Sequence, residues 1–274
     1  MTSSEATTSL GTFAWFGYQL PLAKRLKLIK QSGFSHTFLW MGSSEPLVES
    51  GRAHEMPAMA ADAGLAVDHA HAVYENANAF WSDKPSERDA LVNENLELIE
   101  YCSRHSIPCI VLHVTKGPIP PPPHAEGLEI FRRLGEEAAD AGVVLALENT
   151  RGTNHLDLIL NEVSLDSLGL CYDSSHDYLH SSTPSDVLDK WAHRLITTHF
   201  SDTDGQGDVH WLPMKGIVDW EAVSRAYPTS HQGPVMIEAV PQDRAQPPTE
   251  FLADAYETAI KLREKLVSLP NCRE

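Results

Sequence analysis

Residues 143–148 read Val143-Val144-Leu145-Ala146-Leu147-Glu148, an apolar run of strand type that breaks off at a carboxylate. Seven more short apolar runs resemble it: Thr12 to Phe16, Thr37 to Trp40, Ala66 to His71, Cys109 to His113, Leu168 to Asp173, Leu195 to His199 and Val235 to Glu238. Each is followed by a longer segment with helical periodicity, the rhythm of repeated βα units around a parallel sheet. Between the third and fourth runs, Ser86 and Asp89 have the spacing of a capping box, and Leu91, Leu98, Ile99 and Cys102 then share one helical face. After the eighth, Phe251, Leu252, Ala255, Ala259, Leu262 and Leu266 do the same. Eight such units close a barrel, so the expected fold is α/β, a single (β/α)8 barrel occupying residues 1–274 as one domain.

A length of 274 residues suits one such barrel, and no linker, repeat or low-complexity domain divides the chain. Met1 to Ser9 is a short polar lead without a basic region followed by an apolar core, and no stretch approaches the length of a membrane span. A cytoplasmic location without a membrane partner is the expectation. The four cysteines, Cys102, Cys109, Cys171 and Cys272, are too sparse for a disulfide framework and lack paired metal-finger spacing, which suits a reducing compartment. A formal charge of −17 repels a phosphate backbone and argues against nucleic acid as a partner. The basic cluster Lys24, Arg25, Lys27 and Lys30 reads as the solvated outer face of an early helix. Pro118 to Pro123, with four consecutive prolines, reads as a stiff loop wall after the fourth strand rather than a partner-binding segment.

Function is written in how the runs end. His71, His113, Glu148, Asp173, His199 and Glu238 stand at the ends of the last six, and each can bind a metal. Burying a carboxylate behind a run such as 143–147 costs several kcal/mol unless something positive or proton-donating meets it. A shared cation meets several at once. Active sites of these barrels form at the C-terminal strand ends, where residues distant in sequence converge. Singly, each residue is most simply a helix cap, a salt-bridge partner or a structural histidine; six in phase with the strand ends point to a metal site.

The motifs resemble those of the xylose-isomerase-like barrels, which include sugar and sugar-phosphate isomerases and epimerases, inosose dehydratases and endonuclease IV-type apurinic endonucleases. The resemblance spans most of the chain. It rests on Leu147-Glu148-Asn149, Tyr172-Asp173-Ser174-Ser175-His176, His199-Phe200-Ser201-Asp202-Thr203-Asp204-Gly205, Asp208-Val209-His210, Gly216-Ile217-Val218-Asp219-Trp220 and Ile237-Glu238, in that order. The chain departs from the family at Pro213-Met214-Lys215-Gly216 and at Ser201, where many members have a second histidine. The resemblance implies one divalent metal held by Glu148, Asp173, His199 and Glu238. Manganese is the favoured ion, and three carboxylates with one imidazole also suit Zn²⁺, Co²⁺ or Mg²⁺.

The implied enzyme is an isomerase of carbohydrate metabolism acting on a small-molecule sugar or sugar phosphate. The metal polarises a ketose carbonyl and a neighbouring hydroxyl, and Glu148 and Glu238 act as catalytic bases on the C–H between them, through an enediolate. His71, His113, His176, Asp208, His210 and Arg151 are the expected substrate contacts, with Trp15, Trp40 and Trp211 placed to stack on a sugar face. Three alternatives stay open. His71, His113, Glu148, Asp173, His176, His199, Asp208, His210 and Glu238 match the nine ligands of the trinuclear zinc apurinic endonucleases. An inosose-dehydratase-like lyase would use the same quartet, and a binding protein without catalysis would have lost one of its members. Family members form dimers and tetramers, so a homo-oligomer is compatible with the resemblance, and the sequence leaves the state open.

Overall fold

The computed structural model describes residues 9–151 and 153–268. Its eight strands are β1 (Leu10–Phe13), β2 (His36–Trp40), β3 (Ala66–His71), β4 (Cys109–His113), β5 (Val144–Glu148), β6 (Leu168–Asp173), β7 (Leu195–His199) and β8 (Val235–Ile237). They pair in the order β7-β6-β5-β4-β3-β2-β1-β8, parallel throughout. The seam between β7 and β8 is closed just past β7, where Phe200 N donates to Met236 O at 2.9 Å and Glu238 N donates to Phe200 O at 3.1 Å. The chain is therefore a single (β/α)8 barrel, as its rhythm predicts. The strand ends differ from expectation at two places: β1 stops at Phe13, leaving Trp15 and Phe16 in the following loop, and β8 stops at Ile237, leaving Glu238 one residue beyond.

Because successive side chains of a strand face opposite ways, each run sorts its residues between two cores. Leu145, Leu147, Ile110, Leu112, Leu168 and Leu170 face outward into the layer shared with the helices. Ala146, Val111, Cys109 and Cys171 face the barrel interior, which Phe13, Phe38 and Met236 fill elsewhere. Two residues on from each inward position come His113, Glu148 and Asp173, so the alternation itself delivers them to the interior. Register sets their height: His113 pairs with Glu148, and Asp173 with His199.

Helix Ala125–Ala141 shows how local chemistry starts and stops these elements. The His124 side chain accepts a hydrogen bond from Gly127 N at 3.1 Å, and Gly142, at φ 71°, takes the left-handed conformation that turns the chain into β5. Helix Pro248–Ser268 buries the face expected of it: Phe251, Leu252, Ala255, Ala259, Leu262 and Leu266. Helix Pro85–Arg104 corrects the capping-box reading of Ser86 and Asp89. It starts with Pro85 at its first position, which fixes φ and needs no donor, and no side chain caps it. Cys102, Cys109 and Cys171 are buried free thiols, and Cys272 lies outside the described residues. No described helix is long and apolar enough to cross a membrane. The proline segment is pinned by His155, whose Nε2 lies 2.8 Å from Pro121 O, while Ile119 at its tip is 88% exposed.

Arg25 is a second correction. Lys24, Lys27 and Lys30 are exposed, but Arg25 belongs with Leu22, Leu26 and Ile29 on the inward stripe of helix Leu22–Gln31 and is buried. Its Nη2 pairs with Glu45, its Nη1 donates to Ala14 O at 2.9 Å, its Nε donates to Leu20 O at 2.8 Å, and its guanidinium lies 5.3 Å from the Trp15 ring centre. One cation thus ties the loops after β1 and β2 together and braces Trp15. Arg25→Met leaves Glu45 buried without a partner and is expected to cost about 3–5 kcal/mol in urea unfolding, most of it recovered in an Arg25→Met, Glu45→Met double variant. A loss below about 1 kcal/mol, the range of exposed pairs, would show the pair to be ornamental.

Candidate metal centre and substrate cavity

At the C-terminal ends of the strands, Glu148, Asp173, His199 and Glu238 each offer a ligand atom, and the four atoms lie within 4.8 Å of one another. All four residues are buried. His71, Glu148 and His199 form a second, overlapping group of the same tightness. The two glutamates meet at one imidazole: His199 Nδ1 lies 3.0 Å from Glu238 Oε2 and 3.3 Å from Glu148 Oε2.

These atoms are close without being hydrogen-bonded. Glu148 Oε2 has His71 Nε2 at 3.3 Å, His113 Nε2 at 3.2 Å and His199 Nδ1 at 3.3 Å, yet Glu148 Oε2 and His199 Nδ1 have no hydrogen-bond partner. His71 shows why. Its Nδ1 donates to Ala72 O at 2.9 Å, so a neutral ring here would turn the Nε2 lone pair toward a carboxylate oxygen. Buried lone pairs facing one another need something positive between them. Three carboxylates and an imidazole form a donor set for a hard to borderline divalent cation, and the four residues fit one.

The acid–base balance has the same imbalance. Burial, reinforced by Glu148, Asp208 and Glu238, pushes the Asp173 carboxyl up to about 7. Burial also works against charge on Glu148, but His113 and His199 more than offset it and hold that carboxyl well below the usual range. At Glu238 burial is again outweighed, here by His199 and His210, leaving it at about 2. Asp173 is thus the carboxylate the histidines fail to neutralise. Its position is nevertheless fixed: Oδ1 accepts from His176 N at 2.8 Å, capping helix Ser174–His180, and its backbone N and O bond the Asn149 side chain at 2.7 and 2.8 Å. Ser201, the departure from the family pattern, supports Ser175 Oγ at 2.7 Å and faces Asp173 Oδ2 at 3.5 Å.

Above the four residues opens a cavity of about 490 Å³. His71, His113, Glu148, Arg151, His176, Asp208, His210, Glu238, Trp15 and Trp40 all line it, while Asp173 and His199 sit behind the wall. Trp211 does not line it: its backbone pairs with Asp202 instead. None of the prolines in 118–123 lines it either, so that segment is not a wall of this cavity. On its far side Asp208 Oδ2 accepts from His176 Nε2 at 3.0 Å and from His210 Nε2 at 3.2 Å. Burial lowers His210, but the Asp208 hydrogen bond outweighs it and raises the ring to about 9. His210 sits at φ 48°, in the left-handed region uncommon for a non-glycine residue, held there by Val240 N donating to its carbonyl at 2.8 Å.

Two features escaped the sequence reading. Lys116, three residues past the end of β4, has its backbone clamped by the Asn78 amide through two 2.8 Å bonds and its Nζ laid 4.7 Å over the Tyr74 ring, so a cation and an aromatic face the cavity together. His69 lies beneath His199, its Nε2 2.9 Å from His199 Nε2. Its signal was present, since His69 and His71 stand two apart in one strand and share a face.

Residues 26–261 match the family model described as a xylose isomerase-like TIM barrel. The uncharacterized protein y4fM of Sinorhizobium fredii (strain NBRC 101917 / NGR234) is 28% identical over 287 residues, covering 92% of this chain and 91% of its own. Among solved structures, D-psicose 3-epimerase from Clostridium cellulolyticum H10, with D-tagatose, superposes with a TM-score of 0.74 at 13% identity, covering 95% of this chain and 100% of that one. Apo 3-keto-D-glucoside 4-epimerase from E. coli superposes at 0.69 with 18% identity, covering 93% and 99%.

Proposed function

Because the chain belongs to the xylose isomerase-like TIM barrel family, we propose that it is a metal-dependent sugar isomerase or epimerase that moves a proton at the carbon beside a ketose carbonyl. The observation that carries this reading is the pair of buried glutamates, Glu148 and Glu238, gathered on one imidazole at the floor of a cavity that suits a small polar ligand. Glu148, Asp173, His199 and Glu238 would hold the cation. When bound, it supplies Lewis-acid polarisation of a carbonyl and an adjacent hydroxyl, which acidifies the intervening C–H.

The chain's own groups do the rest. Glu148 ends β5 and Glu238 follows β8, separate parts of the barrel wall, and both reach the cavity. One carboxylate removing a proton from one face and the other returning it to the opposite face gives epimerisation; one serving two neighbouring carbons gives 1,2-isomerisation. His176, between Glu148 Oε1 at 3.1 Å and Asp208, and His210 on the same aspartate, line the cavity and hold the Asp208 carboxylate in place as an acceptor for a sugar hydroxyl. Trp15 and Trp40 offer apolar faces on the other wall, and Arg151 and Lys116 are cations at the rim for a more distant oxygen or phosphate. The test is to incubate protein loaded with Mn²⁺ with a panel of free and phosphorylated ketoses in D2O. Deuterium should enter the carbon beside the carbonyl, and a panel with no exchange and no isomer formed would remove the reading.

A second reading, the trinuclear apurinic endonuclease, draws on two further bunchings: His71 and His113 on Glu148 Oε2, and His176 and His210 on Asp208 Oδ2. The −17 charge weighs against a duplex substrate. Metal analysis of the purified protein separates them. Sugar chemistry expects about one divalent ion per chain, and the nuclease about three zinc ions with cleavage of abasic DNA.

A further inference from the structure

β3 does not pair evenly with β2. Thr37 faces Val67 and Leu39 faces Ala70, so Asp68 and His69 together stand opposite the single residue Phe38. Such an extra residue is a β-bulge, which interrupts the alternation of side chains and re-aims them. An even strand would send Asp68 and His69 to opposite faces; here both reach across the barrel to β7. Asp68 Oδ2 accepts from Thr197 Oγ1 at 2.7 Å, and His69 Nε2 meets His199 Nε2 at 2.9 Å. β7 carries its own irregularity at the same level, with Leu170 facing Leu195 and Cys171 facing Thr197, so Ile196 is extra.

We infer that Asp68 and His69 are positioning residues for His199: they fix its proton on Nε2 and leave Nδ1 bare toward Glu148 and Glu238. This rests on the reading that the four-residue group holds a divalent cation. The chain of donors runs one way. A carboxylate only accepts, so Asp68 Oδ2, 2.8 Å from His69 Nδ1, takes that ring's proton-bearing side. A neutral His69 then has a bare Nε2, and only one proton fits between it and His199 Nε2. His199 must supply that proton, so the neutral ring that binds a cation carries its lone pair on Nδ1, one of the atoms without a hydrogen-bond partner at the candidate centre. Orientation is fixed as well as tautomer. Phe38 stacks on His69 at 4.3 Å and on His199 at 4.8 Å, with interplanar angles of 20° and 17°, and is itself backed by Phe13 at 4.3 Å. None of Asp68, His69 and Thr197 lines the cavity above the four residues, so the mechanism uses none of them directly.

The test reads no activity and needs no substrate, so a wrong substrate class leaves it intact. In protein labelled with ¹⁵N-histidine and loaded with Zn²⁺, long-range ¹H–¹⁵N correlation is expected to show His69 neutral with its proton on Nδ1, and His199 with its proton on Nε2. The opposite tautomer, or a doubly protonated His69, overturns the inference. His69→Phe keeps a ring against Phe38 but cannot accept, and is expected to weaken Zn²⁺ and Mn²⁺ binding roughly 10–100-fold by calorimetry. His69→Gln, whose amide oxygen accepts, should recover much of that loss. Affinity in His69→Phe within twofold of the parent overturns the inference. Should that variant fail to fold, the tautomer in the unmodified protein decides. A protein that takes up neither ion removes both this inference and the metal reading beneath it.

Discussion

Glu148→Gln is expected to lower metal-dependent exchange of the proton beside a ketose carbonyl by roughly 10²–10⁴-fold, the range for removing a positioned acid–base group, while the barrel stays folded. The substitution is close to isosteric but removes the charge at the centre of the site. Four histidine nitrogens lie 3.1–3.3 Å from its two carboxylate oxygens. An amide there would turn one NH2 toward imidazole nitrogens and leave a weaker oxygen toward the cation. Both proposed roles, base and ligand, fail together, so the exchange should be read at saturating metal, with calorimetry reporting how much affinity was lost. Unchanged far-UV circular dichroism with full exchange would remove Glu148 as a base and shift the proton transfer to Glu238.

Stripping the metal is expected to abolish that exchange, and adding back Mn²⁺ to restore it. It should also lower the thermal midpoint. An ion that binds only the native chain stabilises it by RT ln(1 + [L]/Kd), about 4 kcal/mol at a thousandfold excess over Kd. The site gives a specific reason to expect the coupling. Without a cation, Glu148 Oε2 and His199 Nδ1 are buried with no hydrogen-bond partner, and Asp173 is pushed up to about 7 by burial and its acidic neighbours. A cation relieves both. Differential scanning calorimetry with and without chelator measures the gain, and a midpoint that does not move with Mn²⁺, Zn²⁺, Co²⁺ or Mg²⁺ would show that these residues satisfy each other without an ion.

Much of the site was legible because it follows from local rules. A strand's alternation and its end are visible in six residues, so Val144, Ala146 and Glu148, or Cys109, Val111 and His113, announce which side chains face inward and where the run opens to the mouth. Parallel pairing then brings the ends to one level. The errors came where a residue's role depends on partners outside its own element. Arg25 looked like one of four solvated cations, although its place beside Leu22, Leu26 and Ile29 on a helical stripe put it inside, and its acceptors come from two separate loops. Trp211, near the motifs, spends its backbone on Asp202 and leaves the cavity to Trp15 and Trp40.

By itself, then, the order of residues determined the barrel and the set of side chains at its mouth, because periodicities of two and of 3.6 are properties of a single segment. Only the tertiary structure decided what surrounds that set. The bulge that turns Asp68 and His69 to one side exists as a mismatch between β2 and β3, and the partner that meets His199 Nε2 comes from a strand more than a hundred residues away. Register between strands is a relation, and no single strand carries it.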